Sequence, residues 1–266
     1  MEVFTISNET SGRVPIVVSV PHSGTHIPDD LRDEYDTELV HAQDDCDKFV
    51  DRLYDFAPGM GMRMIVATHS RWVIDLNRDP ESKPLYTDGR IITGLCPAFD
   101  FQGKHLYRDK RKEVSSDEVT RRLNEFYLPY HNALGELLRD TIREFGKVLL
   151  WDCHSIRQYV PTIHPQTFPD LILGDNEGNS AGTFLTEIAT RSLVDGTYSF
   201  RNNFLFKGGY ITRHYGKPQD NQHALQLEMT KVNYLDDGQT RYDSRRAGMM
   251  QGHLKRMFEK LITALR

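Results

Sequence analysis

The stretch Val-Leu-Leu-Trp-Asp-Cys-His-Ser, residues 148–155, decides how this chain folds. Its first four residues form a short apolar run of strand length, which leads directly into Asp152 and His154. Such a run is typical of a strand inside an α/β sheet that is covered on both faces. In these sheets ligands bind beyond the carboxyl ends of the strands. The stretch therefore predicts a buried strand with a functional site at its end.

Similar strand patterns recur along the chain and alternate with helical ones. The aliphatic or β-branched runs are Ile16–Val20, Met64–Ala67, Trp72–Leu76, Val148–Trp151, Leu171–Leu173, Tyr210–Thr212 and Ala224–Met229. Apolar residues at helical spacing predict three long helices, one from Ser115 to about Phe145, one over Ala181–Leu193 and one over Met250–Leu265. Ser115 and Glu118 have the spacing of a capping box.

This alternation predicts one α/β domain over residues 1–266, with a central mixed, largely parallel sheet flanked by helices. The segment from Pro80 to Lys112 has no clear period and contains several Gly, Pro and Tyr residues. Loops of this length in a compact domain are usually functional, so we predict a functional loop here.

Composition narrows the class of partner. The formal net charge is −5 and there is no long Lys/Arg run, which argues against nucleic acid or a membrane surface as a partner. A small anionic substrate is compatible with this charge. Three widely spaced cysteines without a CxxC motif indicate reduced thiols. With no leader pattern and no apolar span, we expect a cytoplasmic protein, and the sequence leaves its oligomeric state open.

Two histidines follow predicted strands and are candidate metal ligands. His22 lies two residues after the end of Ile16–Val20, and His154 lies three residues after the end of Val148–Trp151. Catalytic zinc typically takes three His or carboxylate ligands and leaves one position for water. An acidic cluster that precedes a helical pattern offers the carboxylate, although a solvated helix N-terminus explains each of its members as simply. The cluster consists of Asp44, Asp45 and Asp47.

Two further carboxylates have positions that suit chemistry. Asp152 lies two residues before His154, so in an extended strand it faces the same way and can orient the imidazole, or it is an ordinary aspartate at a loop start. Glu228 shares one face of its strand with Gln226, whereas the opposite face is apolar. A buried glutamate needs a partner or a role, here either an ion pair with an arginine or service as general base.

Three arginines are candidates for binding a substrate carboxylate. Arg78 and Arg213 follow predicted strands, and Arg71 is the third, although each alone is also an ordinary surface arginine. Other chemistries fit less well, because the chain has no G-x-S-x-G, GxxxxGK[ST] or G-x-G-x-x-G motif. Ser23 could act as a nucleophile beside His22, but Ser-Gly after a histidine also indicates a tight turn. We interpret Cys153 as a packing residue.

Taken together, these motifs resemble the N-formylglutamate amidohydrolase family. The matching segments run in order from about residue 14 to 235 and cover nearly the whole chain. They are VPHSGTHIP from Val20, VDRLYDFA from Val50, ATHSRWVIDLNRDP from Ala67, TGLCP from Thr93, YLPYHNAL from Tyr127, LLWDCHS from Leu149, FKGGYITRHYGKP from Phe206 and HALQLEM from His223.

The resemblance implies a fold related to zinc carboxypeptidases and aspartoacylases, with one divalent metal, expected to be zinc. It implies His22 and His154 as ligands, with Asp45 ranked ahead of Asp47 as the third, and Glu228 as the base. It also implies Asn77 and Arg78 as substrate-carboxylate binders; the roles of Arg71, Arg213 and Asp152 rest on the residue arguments above. The implied reaction is hydrolysis of N-formyl-L-glutamate to formate and L-glutamate, a step of histidine breakdown.

One position departs from the family pattern. Members of the family tend to carry an aromatic-His pair just before VDRLY, where this chain has Lys48 and Phe49. If that histidine contacts substrate, the specificity of this chain has moved to another N-acyl or N-carbamoyl amino acid. A more distant alternative is a metal-free protein that binds an acidic amino acid, and the presence of His22, His154 and Glu228 counts against it.

Overall fold

The computed structural model describes residues 2–85, 93–111, 113–194 and 197–266, and it contains a seven-stranded mixed sheet. In spatial order the strands run β1-β3-β2-β4-β7-β5-β6. Their bounds are β1 Phe4–Ser7, β2 Ile16–Val20, β3 Arg63–Ala67, β4 Val148–Ile156, β5 Leu171–Gly174, β6 Phe200–Asn202 and β7 Gln222–Thr230. The predicted mixed α/β fold is thus confirmed.

The centre of the sheet is parallel. Strands β3, β2, β4 and β7 pair in parallel, whereas β1 joins β3 and β5 joins β7 in antiparallel fashion. Strand β4 is buried along its whole length and continues to Ile156, so Asp152 and His154 belong to the strand rather than to the loop that we predicted. Because β2, β4 and β7 run side by side in one direction, their carboxyl ends meet at one edge.

Helices cover both faces of the sheet. Their bounds are α1 Asp29–Arg32, α2 Thr37–Ala42, α3 Val50–Leu53, α4 Ser116–Arg122, α5 Leu128–Phe145, α6 Thr183–Val194, α7 Tyr210–Tyr215 and α8 Ser244–Ala264. Helices α3, α6 and α8 pack in one apolar core with Leu225, Leu227 and Met229, and α5 packs in the other. The predicted alternation along β7 is therefore confirmed.

The three predicted helices are present. Ser115 Oγ accepts a hydrogen bond from the backbone N–H of Glu118, as its capping position predicts. A π-helical turn, Leu123–Tyr127, joins α4 to α5. It ends two residues before Pro129, which has no N–H to donate and whose ring would crowd the carbonyl of Glu125. The wider turn accommodates this proline inside an otherwise continuous helix.

Two predicted strands are wrong. The segment Trp72–Leu76 is a series of buried turns, in which Ser70 and Asp75 side chains accept from the backbone N–H groups of Trp72 and Asn77. Such local bonds compete with a strand ladder. Residues Tyr210–Thr212 begin helix α7, and a side chain from elsewhere in the chain accepts from a backbone N–H group of its first turn.

The segment from Pro80 to Lys112 contains no helix or strand among its described residues, as predicted, and residues 86–92 and 112 lie outside the described part. Elsewhere, the pattern missed β1 and β6, which form the two edges of the sheet. All three cysteines are free, and Cys153 packs in the apolar core, in line with a packing role.

None of the described helices is both long enough and apolar enough to cross a bilayer.

Candidate metal centre and active site

Two buried histidines face each other at the carboxyl edge of the sheet. His22 follows β2 and His154 lies in β4, and their ring centroids are 5.0 Å apart. Each ring has its Nε2 atom next to a fully buried carboxylate. His22 Nε2 lies 2.9 Å from Asp75 Oδ1, and His154 Nε2 lies 3.0 Å from Asp152 Oδ2. With its proton on Nε2, each imidazole donates to its carboxylate and keeps the Nδ1 lone pair available for a ligand.

Both Nδ1 atoms point toward the carboxylate of Asp47. Asp47 Oδ2 lies 3.2 Å from His154 Nδ1 and 3.6 Å from His22 Nδ1. His22 Nδ1 and Asp47 Oδ1 are buried without a hydrogen-bond partner. Lone pairs that converge in a buried space are unfavourable unless a cation lies between them. One ligand atom from each residue falls within 4.8 Å of the others, so this donor set fits a metal ion.

The electrostatics of the centre also favour a positive charge. Burial alone would lower the pKa of His154, but Asp152 and Asp47 outweigh it and hold this pKa well above its usual range. Burial likewise acts to raise the pKa of Asp47, and its contacts with His154 and His22 bring it below the usual range instead. The site thus stabilises a cation next to Asp47, whether that cation is a proton or a metal.

We ranked Asp45 ahead of Asp47 as the third ligand, but the donor set that could hold a metal contains Asp47 and not Asp45. The Asp45 carboxylate accepts from Trp72 Nε1 at 3.2 Å and from the backbone N–H of Phe101 at 3.0 Å. Burial raises the pKa of Asp45 to about 6. Asp45 therefore holds the loop residue Phe101 against the Trp72 segment, while the donor set that can hold a metal contains Asp47.

Glu228 lies on β7 beside His154 of β4, in direct register. Its side chain is 7% exposed and lines the same cavity as the two histidines. Burial raises the pKa of Glu228 to about 8, and the negative charge of Asp47 adds to the effect. The nearest polar neighbour on its own strand is Gln226, whose Nε2 lies 3.5 Å from Glu228 Oε2. A carboxyl group in this setting can exchange a proton near neutral pH.

Arg71 and Arg78 also line the cavity, and both contact Asp75. Arg71 donates to Asp75 Oδ2 at 2.6 Å, and Arg78 NH1 lies 3.5 Å from the same oxygen. Asn77 completes this wall, with Nδ2 3.0 Å from His154 Nε2. Arg213 lies elsewhere. Its side chain donates to the backbone carbonyls of Gly208 and Leu85 and lines a neighbouring surface pocket.

The cavity above the centre is about 680 Å³, including its open mouth. One side is polar and carries the residues above, and the other is apolar. The apolar side consists of Leu85, Phe101, Ile156, Ile163 and Phe206. Leu85 and Phe101 come from the segment that we predicted to be a functional loop, so its described part contributes to the cavity wall.

The departure at Lys48 and Phe49 does not reach this cavity. Lys48 Nζ donates to the Ala42 carbonyl, and the Phe49 ring packs 5.9 Å from that of Tyr242. Neither residue is among the described residues that line the cavity. A change of specificity through these two side chains therefore finds no support in their positions.

Sequence reasoning missed two polar residues of the site, Asp75 and Gln226. A carboxylate next to the His22 ring was to be expected, just as Asp152 was expected next to His154. However, Asp75 is distant in sequence, and its segment was predicted to be a strand. Gln226 was visible as the neighbour of Glu228 on the polar face of β7, which was the signal that could have identified it.

The fold and this site define a class: an α/β protein that carries, at the carboxyl ends of its parallel strands, a buried carboxyl group beside a His–Asp donor set that could hold a metal ion. Within that class, the chain belongs to the N-formylglutamate amidohydrolase family, whose model matches residues 14–235.

Three relatives support the assignment. The chain is 42% identical over 228 residues to an N-formylglutamate deformylase of Pseudomonas aeruginosa, covering 85% of this chain and 84% of the relative. It is 39% identical to one of Pseudomonas putida, with the same coverage of both chains. The crystal structure of an N-formylglutamate amidohydrolase from Ralstonia eutropha has a TM-score of 0.83 and 27% identity, covering 100% of this chain and 99% of that one.

Proposed function

We propose that this protein hydrolyses the formamide bond of N-formyl-L-glutamate to formate and L-glutamate, with a divalent metal held by His22, Asp47 and His154. Family membership and the relatives named N-formylglutamate deformylase support the substrate. The observation that carries the proposal is the convergence of two histidine Nδ1 atoms and one Asp47 oxygen beside the buried Glu228.

Zinc is the expected metal, because two imidazoles and one carboxylate are a common set for catalytic zinc. When bound, a divalent metal would polarise the substrate carbonyl and lower the pKa of water. Asp75 and Asp152 lie beside the Nε2 atoms of the two histidines, and in the metal-bound state they would accept the Nε2 protons. This arrangement keeps the Nδ1 atoms aimed at the ligand position without any rearrangement of the rings.

Glu228 is the proposed proton carrier. Its carboxylate takes a proton from water as the water oxygen attacks the formyl carbon, and then gives that proton to the nitrogen of the leaving amine. The C–N bond breaks, and the formyl group leaves as formate. Burial on β7 keeps Glu228 beside His154, where both transfers need it.

Arg71, Arg78 and Asn77 are the proposed anchors for substrate carboxylates. Both guanidinium groups line the cavity, and each forms an ion pair with Asp75. A planar guanidinium matches the two oxygens of a carboxylate. Arg213, which our sequence analysis also proposed, lies in the neighbouring pocket and is less suited to this role. The apolar side of the cavity limits the access of bulk water to the reacting groups.

The test is formate release from N-formyl-L-glutamate by protein stripped with a chelator and then reloaded with zinc or another divalent ion. We expect activity to vanish on stripping and to return with metal. Activity that survives complete stripping would contradict the metal, and metal binding without formate release would move the substrate to another N-acyl or N-carbamoyl amino acid. A protein that neither binds metal nor releases formate would favour the non-catalytic alternative.

The role of Glu228 has its own test. The variant Glu228→Gln keeps the shape of the side chain but cannot take a proton, so kcat should fall about 100-fold or more while zinc still binds. Full turnover by this variant would remove Glu228 as the base. A place in histidine breakdown and a cytoplasmic location remain part of the proposal.

A further inference from the structure

Gln226 occupies a position in the sheet that the reaction proposed above does not use. It lies on β7 two residues before Glu228, on the same polar face, and its side chain is 4% exposed. In register, Gln226 pairs with Asp152 of β4, and Glu228 pairs with His154. A long amide side chain thus stands inside the polar block that contains the metal centre and the proposed base.

Both ends of the Gln226 amide are engaged. Its Oε1 accepts a hydrogen bond from the backbone N–H of Gly209 at 2.7 Å, which fixes which end of the amide is the oxygen. The Nε2 end then faces Glu228 Oε2 at 3.5 Å. The short bond anchors the amide, and the longer one directs an N–H group at the carboxyl oxygen of Glu228.

The anchor is a crowded and well-defined part of the structure. Gly209 is the residue just before helix α7, and a Cβ atom there would lie 2.2 Å from Asn77 Nδ2. The preceding Gly208 has φ of +117° and passes so close to Gly174 of β5 that a Cβ on Gly174 would meet Gly208 N at 2.6 Å. The Gly209 N–H group therefore has little freedom to move, and Gln226 is held against it.

Only glutamine suits both neighbours. A glutamate at 226 would keep an acceptor for the Gly209 N–H but would place a second carboxylate next to Glu228, near Asp152. A methionine would leave the buried Gly209 N–H unpaired and give Glu228 no donor. An asparagine is one methylene shorter and would not span the two groups.

We propose that Gln226 is a positioning residue for Glu228. Its amide is anchored on the Gly209 N–H, and its Nε2 group holds the Glu228 carboxylate in an orientation that faces the reacting water. This inference rests on the proposed function of Glu228. Hydrogen bonds at active sites are often long before substrate is bound, so the 3.5 Å separation is compatible with a bond that shortens during turnover.

The experiment compares Gln226→Glu and Gln226→Met in zinc-loaded protein, each alone and combined with Glu228→Gln. Gln226→Glu preserves the Gly209 anchor but replaces the donor to Glu228 with a second carboxylate, whereas Gln226→Met removes the donor without adding a charge. If Gln226 acts through Glu228, both single variants lower kcat about 10- to 100-fold, and Gln226→Met changes KM less than about threefold. In the Glu228→Gln background the same substitutions change the residual rate less than about threefold.

Ser180→Ala is the matched control. Ser180 is fully buried and does not line the cavity. Its Oγ donates at 2.8 Å to the carbonyl of Ala224 on β7, the strand that also carries Gln226. Its removal should lower the melting temperature and leave kcat within about twofold of the parent. Zinc affinity, measured by calorimetry, should stay within about threefold in both Gln226 variants, since neither substitution removes a ligand.

Each other outcome overturns the inference. A Gln226→Glu variant with parental kcat would mean that Gln226 only anchors Gly209, and a loss that persists in the Glu228→Gln background would mean that it acts on something other than Glu228. If Gln226→Met does not fold, Gln226→Glu decides. Parent protein that releases no formate would instead refute the proposed function, which separates the two failures.

Discussion

At the scale of single residues, the site is built from side chains that hold one another. His22 and His154 each have Nε2 fixed by a buried carboxylate, so neither ring can turn without breaking a bond in a region that excludes water. Asp75 also binds Arg71 at 2.6 Å, which links the metal centre to the proposed substrate anchor. We therefore expect a change of charge at Asp75 to affect both the candidate metal centre and the proposed substrate anchor.

Asp47 and Asp45 provide a direct comparison of ligand and scaffold. Asp47→Asn removes one ligand charge, so zinc affinity should fall at least about 100-fold, more than the loss of an outer partner causes. Asp45→Asn keeps an acceptor for Trp72 and Phe101 and should leave zinc affinity within about threefold. Titration calorimetry of both variants measures this, and equal losses would return Asp45 to the ligand set.

His131 on α5 should make the free energy of unfolding depend on pH. Its Nε2 donates to the carbonyl of Leu76 at 2.9 Å, and burial lowers its pKa to about 4 from an ordinary value near 6.5. Because the unfolded chain takes up the proton first, stability present above pH 6.5 is lost as the pH falls toward 4. The loss from this group reaches about 3 kcal/mol.

Urea unfolding at pH 7 and pH 4.5 measures this dependence. Other groups titrate in the same range, so the comparison is with His131→Gln, whose amide can still donate to Leu76 and does not titrate. We expect the variant to lose less stability than the parent across this interval, by about 2 kcal/mol. Identical losses in the two proteins would show that His131 is not the group responsible.

The site residues differed in how far sequence could identify them. His22, His154 and Glu228 stood out because each follows or lies in a strand of strong pattern, and such positions meet at one edge of the sheet. The choice between Asp45 and Asp47 could not be made this way, since both lie in one acidic turn before α3. Only the three-dimensional path of that turn decides which carboxylate faces the histidines.

At the scale of elements, tertiary contacts explain one of the two wrong strands, Tyr210–Thr212. Asn77 Oδ1 accepts from the backbone N–H of Ile211 at 2.8 Å, and Gln226 Oε1 accepts from that of Gly209. These two side chains from the cavity satisfy the first turn of α7, a short helix with no side-chain cap of its own. The apolar pattern of Tyr210–Thr212 contains no trace of these partners, so it resembles a strand.

Two glycines should respond to alanine in opposite directions. Gly174→Ala on β5 places a Cβ 2.6 Å from the backbone of Gly208, so the chain must shift at a cost of about 1–3 kcal/mol. Gly248→Ala on α8 meets nothing within 4 Å and lies exposed inside a helix, so it should stabilise the protein by about 0.5–1 kcal/mol. Unfolding curves that move in the same direction would contradict this account of the two elements.

At the scale of the whole molecule, the strand order assembles the site from distant parts of the chain. Strands β2, β4 and β7 are neighbours and parallel, although more than a hundred residues separate β2 from β4. Strong central strands of this kind are predictable from their buried runs. The edge strands β1 and β6 are short and partly exposed, so their sequences lack such a signal. The centre of the fold was therefore more predictable than its edges.

Because the proposed ligands come from separate parts of the chain, metal binding should stabilise the molecule as a unit. His22, Asp47 and His154 converge only when β2, β4 and the turn before α3 are all in place, so the metal binds the folded state in preference to the unfolded one. Free zinc at about 100 times its dissociation constant then adds about 2.7 kcal/mol to the free energy of unfolding.

For a chain of this size the gain corresponds to a rise in melting temperature of roughly 5–10 °C. Calorimetry of stripped protein should give a single transition that moves upward as a whole when zinc is added, since residues 1–266 are expected to unfold as one domain. Asp47→Asn is the control and should move by less than about 2 °C at the same zinc concentration. Two transitions, of which zinc moves only one, would show that the sheet does not act as one unit. An equal shift in Asp47→Asn would place the zinc elsewhere in the protein.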